Sequence, residues 1–158
     1  MKKTLILVRH AHRNTEDRSK DNGLSEKGQL QVKKLTKFAK RRLVGTQVTF
    51  LTSPKKRCIE TLLPLTKELG VKLVIDDRLD EHGRLENQAL FTARIEEFMD
   101  HWKFDSEGVL VVCTHGDWIP VMIEKLTGSK TGLKKAGWAE IEHLGVGAIL
   151  TWLVQKVY

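Results

Sequence analysis

Residues Thr4–Arg13 read TLILVRHAHR, and a second run with the same kind of ending, VLVVCTHGD, lies at Val109–Asp117. Each is a continuous apolar run without polar alternation. That pattern marks a strand covered on both faces, as in a parallel sheet with helices on either side. Leu5–Val8 is the first such strand and Val109–Cys113 another. The first stops at Arg9-His10, the second at Thr114-His115-Gly116. Every strand must surface somewhere, so one polar ending says little. Two fully apolar strands that both end in histidine raise the question of a shared site.

After the first strand a polar loop runs from about Ala11 to Gly23. Ser25 can cap a helix whose inner face is Val32, Leu35, Ala39 and Leu43. Lys33, Lys37 and Arg41 lie on its other side as a solvated face; no aromatics are interleaved for stacking on bases. Val48–Thr52 is a short strand, and Ser53-Pro54 reads as the start of the next helix, with a capping hydroxyl and proline at the first position. Cys58, Leu62, Leu65 and Leu69 form that helix's buried face, and Pro64 should kink or interrupt it. Val71–Ile75 is a third strand; Phe91, Ile95, Phe98 and Trp102 mark another amphipathic helix. After His115 a helix buries Ile119, Met122, Ile123 and Leu126, with Pro120 in its first turn. Ala139–Leu144 and Val146–Val157 read as an antiparallel hairpin around Gly145. Strands alternating with helices give a single three-layer α/β domain over residues 1–158, with a mostly parallel sheet flanked by helices and a C-terminal antiparallel hairpin.

A length of 158 residues allows such a domain a core without staples. Two cysteines, Cys58 and Cys113, are too few for a disulfide framework. Their apolar settings point to reduced, buried thiols and a cytoplasmic protein. The opening Met1-Lys2-Lys3 mimics a secretory leader, but the apolar run stops at Val8 and no cleavage site follows. No apolar stretch is long enough to span a membrane. The net charge of +7 attracts anions, whether phosphorylated metabolites, phosphoproteins, nucleic acid or acidic membrane surfaces, without choosing among them.

In open parallel sheets ligands bind at the carboxyl ends of the strands. That edge receives His10, His115 and the end of the strand at Ser53, and Arg57 lies one helical turn past Pro54. Arg9, His10, Arg57 and His115 can therefore converge. Four potential cations in one crevice repel one another unless an anion joins them. Phosphate fits best, because guanidinium groups meet its oxygens in bidentate pairs. Gly116, at the following helix start, would allow close approach of backbone amides. A salt-bridged structural cluster is the other reading, and it needs carboxylates that the neighbouring sequence supplies sparsely. A neutral histidine beside a bound phosphoryl group can attack phosphorus, and nearby guanidinium groups keep it neutral. The leaving group then needs a proton. Glu81, just after the third strand, is the first candidate; Asp117 is an alternative that also suits a helix cap. Glu86 and His82 stand further along the chain.

Taken together these motifs resemble the histidine phosphatase superfamily, which includes the cofactor-dependent phosphoglycerate mutases. Arg9-His10-Ala11 stands where the family has Arg-His-Gly. Ser53-Pro54-Lys55-Lys56-Arg57 matches its second motif, with Glu60-Thr61 after it where Gln-Thr is common. His115-Gly116 matches the late His-Gly, and Leu24–Gln31 the start of the first helix. The resemblance implies a phosphoglycerate mutase-like fold and a phosphorylated His10. It further implies a phosphoryl group held by Arg9, Arg57 and His115, Glu81 as proton donor, and no metal or other cofactor. His12, Arg13 and Asn14 replace the Glu-Ser and later Asn of the mutases, which argues against a phosphoglycerate-type mutase. The short connection from Glu81 to Val109 leaves no room for a large lid. In size and layout the chain is similar to small bacterial phosphohistidine phosphatases.

The expected function is a metal-independent phosphatase working through a phosphohistidine on phosphomonoesters or protein phosphohistidine. A mutase, or a non-catalytic phosphate- or nucleic-acid-binding module, is the alternative. The expected partner is a phosphorylated small molecule or phosphoprotein, with no membrane and no nucleic acid. The sequence assigns no oligomeric state. It assigns no role to His12 or Arg13, places His82 near the crevice mouth, and puts His101 and His143 at the surface.

Overall fold

The computed structural model describes residues 2–157. Its strands are β1 (Lys3–Arg9), β2 (Val48–Thr52), β3 (Leu73–Ile75), β4 (Val109–Thr114), β5 (Trp138–His143) and β6 (Ala148–Val154). Its helices are α1 (Glu26–Leu43), α2 (Lys56–Leu69), α3 (Gln88–Asp105) and α4 (Trp118–Thr127), with one 3-10 turn at Asp77–Leu79. The six strands form one sheet in the order β3-β2-β4-β1-β5-β6. β1 to β4 pair in parallel; β5 runs antiparallel to β1, and β6 antiparallel to β5.

The period of two in β1 explains the three layers. Leu5 and Leu7 face one side, where Phe91, Ile95, Phe98 and Trp102 of α3 and Trp118, Ile119, Met122 and Ile123 of α4 cover them. Ile6 and Val8 face the other, under Leu35, Ala39 and Leu43 of α1 and Cys58, Leu62 and Leu65 of α2. Both faces of β1 and β4 are thus dry, as their uninterrupted apolar runs require. Ser25 caps α1, its side chain accepting from the Gly28 amide at 3.1 Å. Pro120 occupies the first turn of α4.

Four expectations need correction. The first concerns Ser53-Pro54, which does not start α2: the helix begins at Lys56, and the Lys55 carbonyl takes its first bonds, from Cys58 and Ile59 at 3.0 and 3.1 Å. Ser53 is instead drawn back to the sheet, where its amide donates to the Cys113 carbonyl at 2.9 Å. Pro64 does not end α2, which continues to Leu69; the proline is exposed, so the carbonyl it leaves without an amide lies on the solvent side. Leu69 is exposed rather than buried. Finally, β3 is shorter than Val71–Ile75. Gly70 caps α2 in the left-handed conformation (φ 66°), and the Val71 amide returns to the Thr66 carbonyl at 3.0 Å, leaving Val71 to the cap. The hairpin is confirmed, with β6 narrowed to Ala148–Val154 and a bulge at Glu140/Ile141 in β5.

Candidate active site

Three neighbouring parallel strands, β2, β4 and β1, end on one edge. The ladder continues one residue beyond them. His10 donates its amide to the Thr114 carbonyl at 3.1 Å, and Ser53 donates to Cys113. These bonds fix the backbones of His10 and Ser53 beside the end of β4, from which His115 follows directly.

The side chains meet there. Arg57 is the hub: its Nε donates towards His10 Nε2 at 3.4 Å, and its Nη2 lies 3.4 Å from His115 Nδ1. The two imidazole centroids are 5.4 Å apart. His10, Arg57 and His115 are 5%, 3% and 2% exposed. His10 Nδ1 is 2.8 Å from the Ala11 carbonyl, an acceptor only, so Nδ1 carries the proton and Nε2 presents its lone pair. His115 Nε2 lies 2.7 Å from Ser53 Oγ. With Nδ1 facing the Arg57 donor, the network assigns its proton to Nε2.

Burial, reinforced by the Arg57, Arg9 and Lys135 charges and opposed by the Ala11 carbonyl, lowers His10 from 6.5 to about 4. Burial, then Arg57, His10, Lys55 and Arg94, lowers His115 to about 2. Both rings are neutral at pH 7, so the crowding of four cations inferred from sequence is in fact one of two guanidiniums and two neutral imidazoles. One of those guanidiniums is paired: Arg57 Nη2 meets Glu81 Oε2 at 2.5 Å.

Arg9 reaches the same site over Gly116. A Cβ on Gly116 would stand 2.6 Å from Arg9 Cζ, so the glycine makes room for the guanidinium. The amides of Trp118 and Ile119 at the start of α4 are occupied by the His115 carbonyl, at 3.2 and 3.1 Å. Arg9 Nη1 donates to the Leu133 carbonyl at 2.9 Å, whereas its buried Nε has no hydrogen-bond partner among the described residues.

Glu81, 38% exposed, is presented by a segment that four other side chains tie down. Thr114 Oγ1 donates to the Leu79 carbonyl at 2.6 Å, and Trp118 Nε1 to Arg78 at 2.8 Å. Asp117 accepts the His82 amide at 2.9 Å, so it holds this segment instead of capping α4. Arg94, from α3, donates to the carbonyls of Arg78, Asp80 and Glu81 at 2.9, 2.7 and 2.7 Å and pairs with Glu86. That pairing lowers the Glu86 carboxyl to about 2, which disqualifies it as an acid. His82 stacks on Phe91 with centroids 4.7 Å apart and lies 2.7 Å from the Glu86 carbonyl through Nε2.

The structure thus gathers Arg9, His10, Arg57, Glu81, His115 and Gly116 at one edge, and it adds residues that local pattern did not assign to the site. Ser53 orients His115. Thr61 accepts the Ala11 amide at 3.0 Å and donates to the Arg57 carbonyl at 2.7 Å, coupling the first motif to the second. Asp80, whose carboxyl burial pushes up, lies 3.8 Å from His115 Nε2 and 3.7 Å from Lys55. His12 packs on Ser25 at 2.6 Å, and Arg13 donates to the Lys20 carbonyl at 3.1 Å. Both cysteines are buried and unpaired, with Cys58 Sγ 3.6 Å from His115 Nε2. Among the described residues no three His, Cys, Asp or Glu side chains converge as a metal site, and no helix is long and apolar enough to cross a membrane.

The sequence model of the histidine phosphatase superfamily (branch 1) matches residues 5–108. No curated protein sequence matches the chain. Among solved structures, one from Escherichia coli, provisionally described as an alpha-ribazole-5'-P phosphatase, superposes with a TM-score of 0.85 at 16% identity, covering 99% of each chain. A mycobacterial glucosyl-3-phosphoglycerate phosphatase with inorganic phosphate gives 0.77 at 16% identity over 98% of each chain. A phosphoserine phosphatase variant from Entamoeba histolytica, in complex with phosphoserine, gives 0.76 at 16% identity over 96% of each. At these identities the superpositions establish a shared fold.

Proposed function

This chain belongs to branch 1 of the histidine phosphatase superfamily, and we propose that it hydrolyses phosphomonoesters through a phosphohistidine at His10, without a metal. The observation that carries the reading is the state of His10. It is neutral, its proton is fixed on Nδ1, and its Nε2 lone pair lies beside two guanidiniums at the carboxyl edge of the sheet. That arrangement suits a nucleophile for an anion better than a structural histidine.

A phosphoryl dianion meets Arg57 and Arg9 beside His115, whose Nε2–H is held by Ser53 and whose Nδ1 edge faces Arg57. It gives the unpartnered Arg9 Nε an acceptor and replaces Glu81 as the partner of Arg57. His10 Nε2 attacks phosphorus, a P–N bond forms, and the P–O ester bond breaks with its electron pair leaving on the ester oxygen. Glu81, released from Arg57, takes a proton from solvent as the substrate enters and gives it to that oxygen. The guanidiniums stabilise charge on the equatorial oxygens. In the second half, Glu81 accepts a proton from water as the water oxygen attacks phosphorus. The P–N bond then breaks, its electrons return to Nε2, and inorganic phosphate departs. A phosphohistidine on a protein is the second substrate to assay, because the short span from Glu81 to β4 adds no domain over the site.

The test is hydrolysis of p-nitrophenyl phosphate in EDTA. The expected result is full turnover, with His10→Ala losing at least about 10³-fold. Loss of activity in EDTA would refute metal independence. No turnover of p-nitrophenyl phosphate, glycerol phosphate or a phosphohistidine protein would refute the phosphatase.

A further inference from the structure

The cations around His10 divide into two groups. On the Glu81 side three are paired with carboxylates: Arg57 with Glu81, Lys55 with Asp80, Arg94 with Glu86. On the other side Arg9, Lys27, Lys134 and Lys135 form no ion pair among the described residues. These four line one cavity of about 390 Å³ that no described acidic residue enters. Arg9 belongs to this cavity and to the phosphoryl site, so the two spaces share a wall.

The fold accepts costs to keep these charges together. Lys27 stands in the first turn of α1, the end at which a helix disfavours a cation. Lys135 is half-buried, and burial together with Arg9, Arg18, Lys27 and Arg13 makes its charged form harder to hold. Next to it, Ala136 is the one non-glycine residue described with positive φ, at 59°. That conformation lets its amide donate to the carbonyls of both Arg9 and His10, at 3.0 and 3.3 Å. From the other end, Gln155 accepts the Lys134 amide at 2.6 Å and donates to the Gly132 carbonyl at 2.9 Å. The lysine-bearing loop is therefore fastened to the nucleophile's own backbone and to the end of β6. Rigid placement of unpaired cations beside a reaction site is what recognition of a second anion requires.

We propose that this cavity is a second anion subsite, built on Lys27, Lys134 and Lys135, that selects phosphomonoesters carrying another phosphate or carboxylate. The inference rests on the reading that the phosphoryl group binds at His10. It deepens that reading by naming a substrate class, small bis-anionic phosphoesters. The concave, loop-walled space suits a group of that size rather than the face of a partner protein.

The experiment compares glucose 1,6-bisphosphate with glucose 6-phosphate, a pair differing only in the second phosphate. The wild-type chain is expected to show a kcat/KM at least about tenfold higher for the bisphosphate, and Lys27→Met/Lys135→Met to lose that preference. Lys33→Met/Lys37→Met, which removes the same charge from the solvated side of α1, should keep it within about twofold. A wild-type ratio near one, or an equal loss in both double variants, overturns the subsite. If neither sugar phosphate is hydrolysed, the same comparison is read as binding by calorimetry. Tighter bisphosphate binding that depends on Lys27 and Lys135 then upholds the subsite while the phosphatase reading fails; equal affinities overturn the subsite too.

Discussion

At Arg57 a single guanidinium serves two imidazoles and one carboxylate, and the carboxylate is the partner that chemistry must displace. Glu81 is held against the guanidinium as an ion pair at 2.5 Å. A substrate dianion that takes over Arg57 frees it. Glu81→Gln therefore has two opposed effects: phosphate binds more easily, and the departing oxygen loses its proton source. The outcome depends on the leaving group. For β-glycerophosphate, whose alkoxide needs the proton, kcat should fall about 10²-fold or more; for p-nitrophenyl phosphate it should fall by roughly tenfold or less, with KM lowered for both. Equal losses in kcat for the two esters, measured by steady-state kinetics, would remove Glu81 from the acid role.

At the scale of elements, β1 and β4 were legible because burial on both faces forces an unbroken apolar run, and a histidine at the end of such a run stands out. Arg57 was legible through helical spacing from a strand end. Ser53 misleads, because Ser-Pro is a strong local cap signal. The ladder bond to Cys113 and the contact with His115 are non-local, and they outweigh it. Gly116 at a helix start suggests close approach of backbone amides to an anion, whereas it makes room for Arg9. Arg94 looks in sequence like any off-face residue of an amphipathic helix; only the fold shows it gathering three carbonyls of the Glu81 segment. Lys134-Lys135 looks like solvated chain, and its nearness to His10 comes from β5 pairing antiparallel to β1. Residues brought in by long-range pairing of polar loops leave no periodic trace, so this half of the site could not be read from spacing.

Across the whole molecule, distant parts of the chain are assembled around two rings that must stay uncharged. An unfolded imidazole titrates near 6.5, whereas folding lowers His10 to about 4 and His115 to about 2. Between those values the unfolded chain binds more protons, so stability rises with pH. This contribution is complete above about pH 6.5 and is lost as pH falls through about 4 and then about 2. The urea midpoint should be lower at about pH 5 than at about pH 7.5, and His115→Asn should narrow the gap. A midpoint unchanged or higher at the acid value would mean the rings are not held neutral. The central claim, that the folded chain makes His10 Nε2 a phosphoryl acceptor, is tested most directly by trapping the intermediate. A phosphomonoester is mixed with the enzyme, turnover is quenched in alkaline denaturant, and the protein is mapped by mass spectrometry with phosphorus NMR. One phosphoryl group is expected on His10, bonded through Nε2 and absent in His10→Ala. Turnover with a different residue labelled, or with His10 never labelled, would contradict that claim.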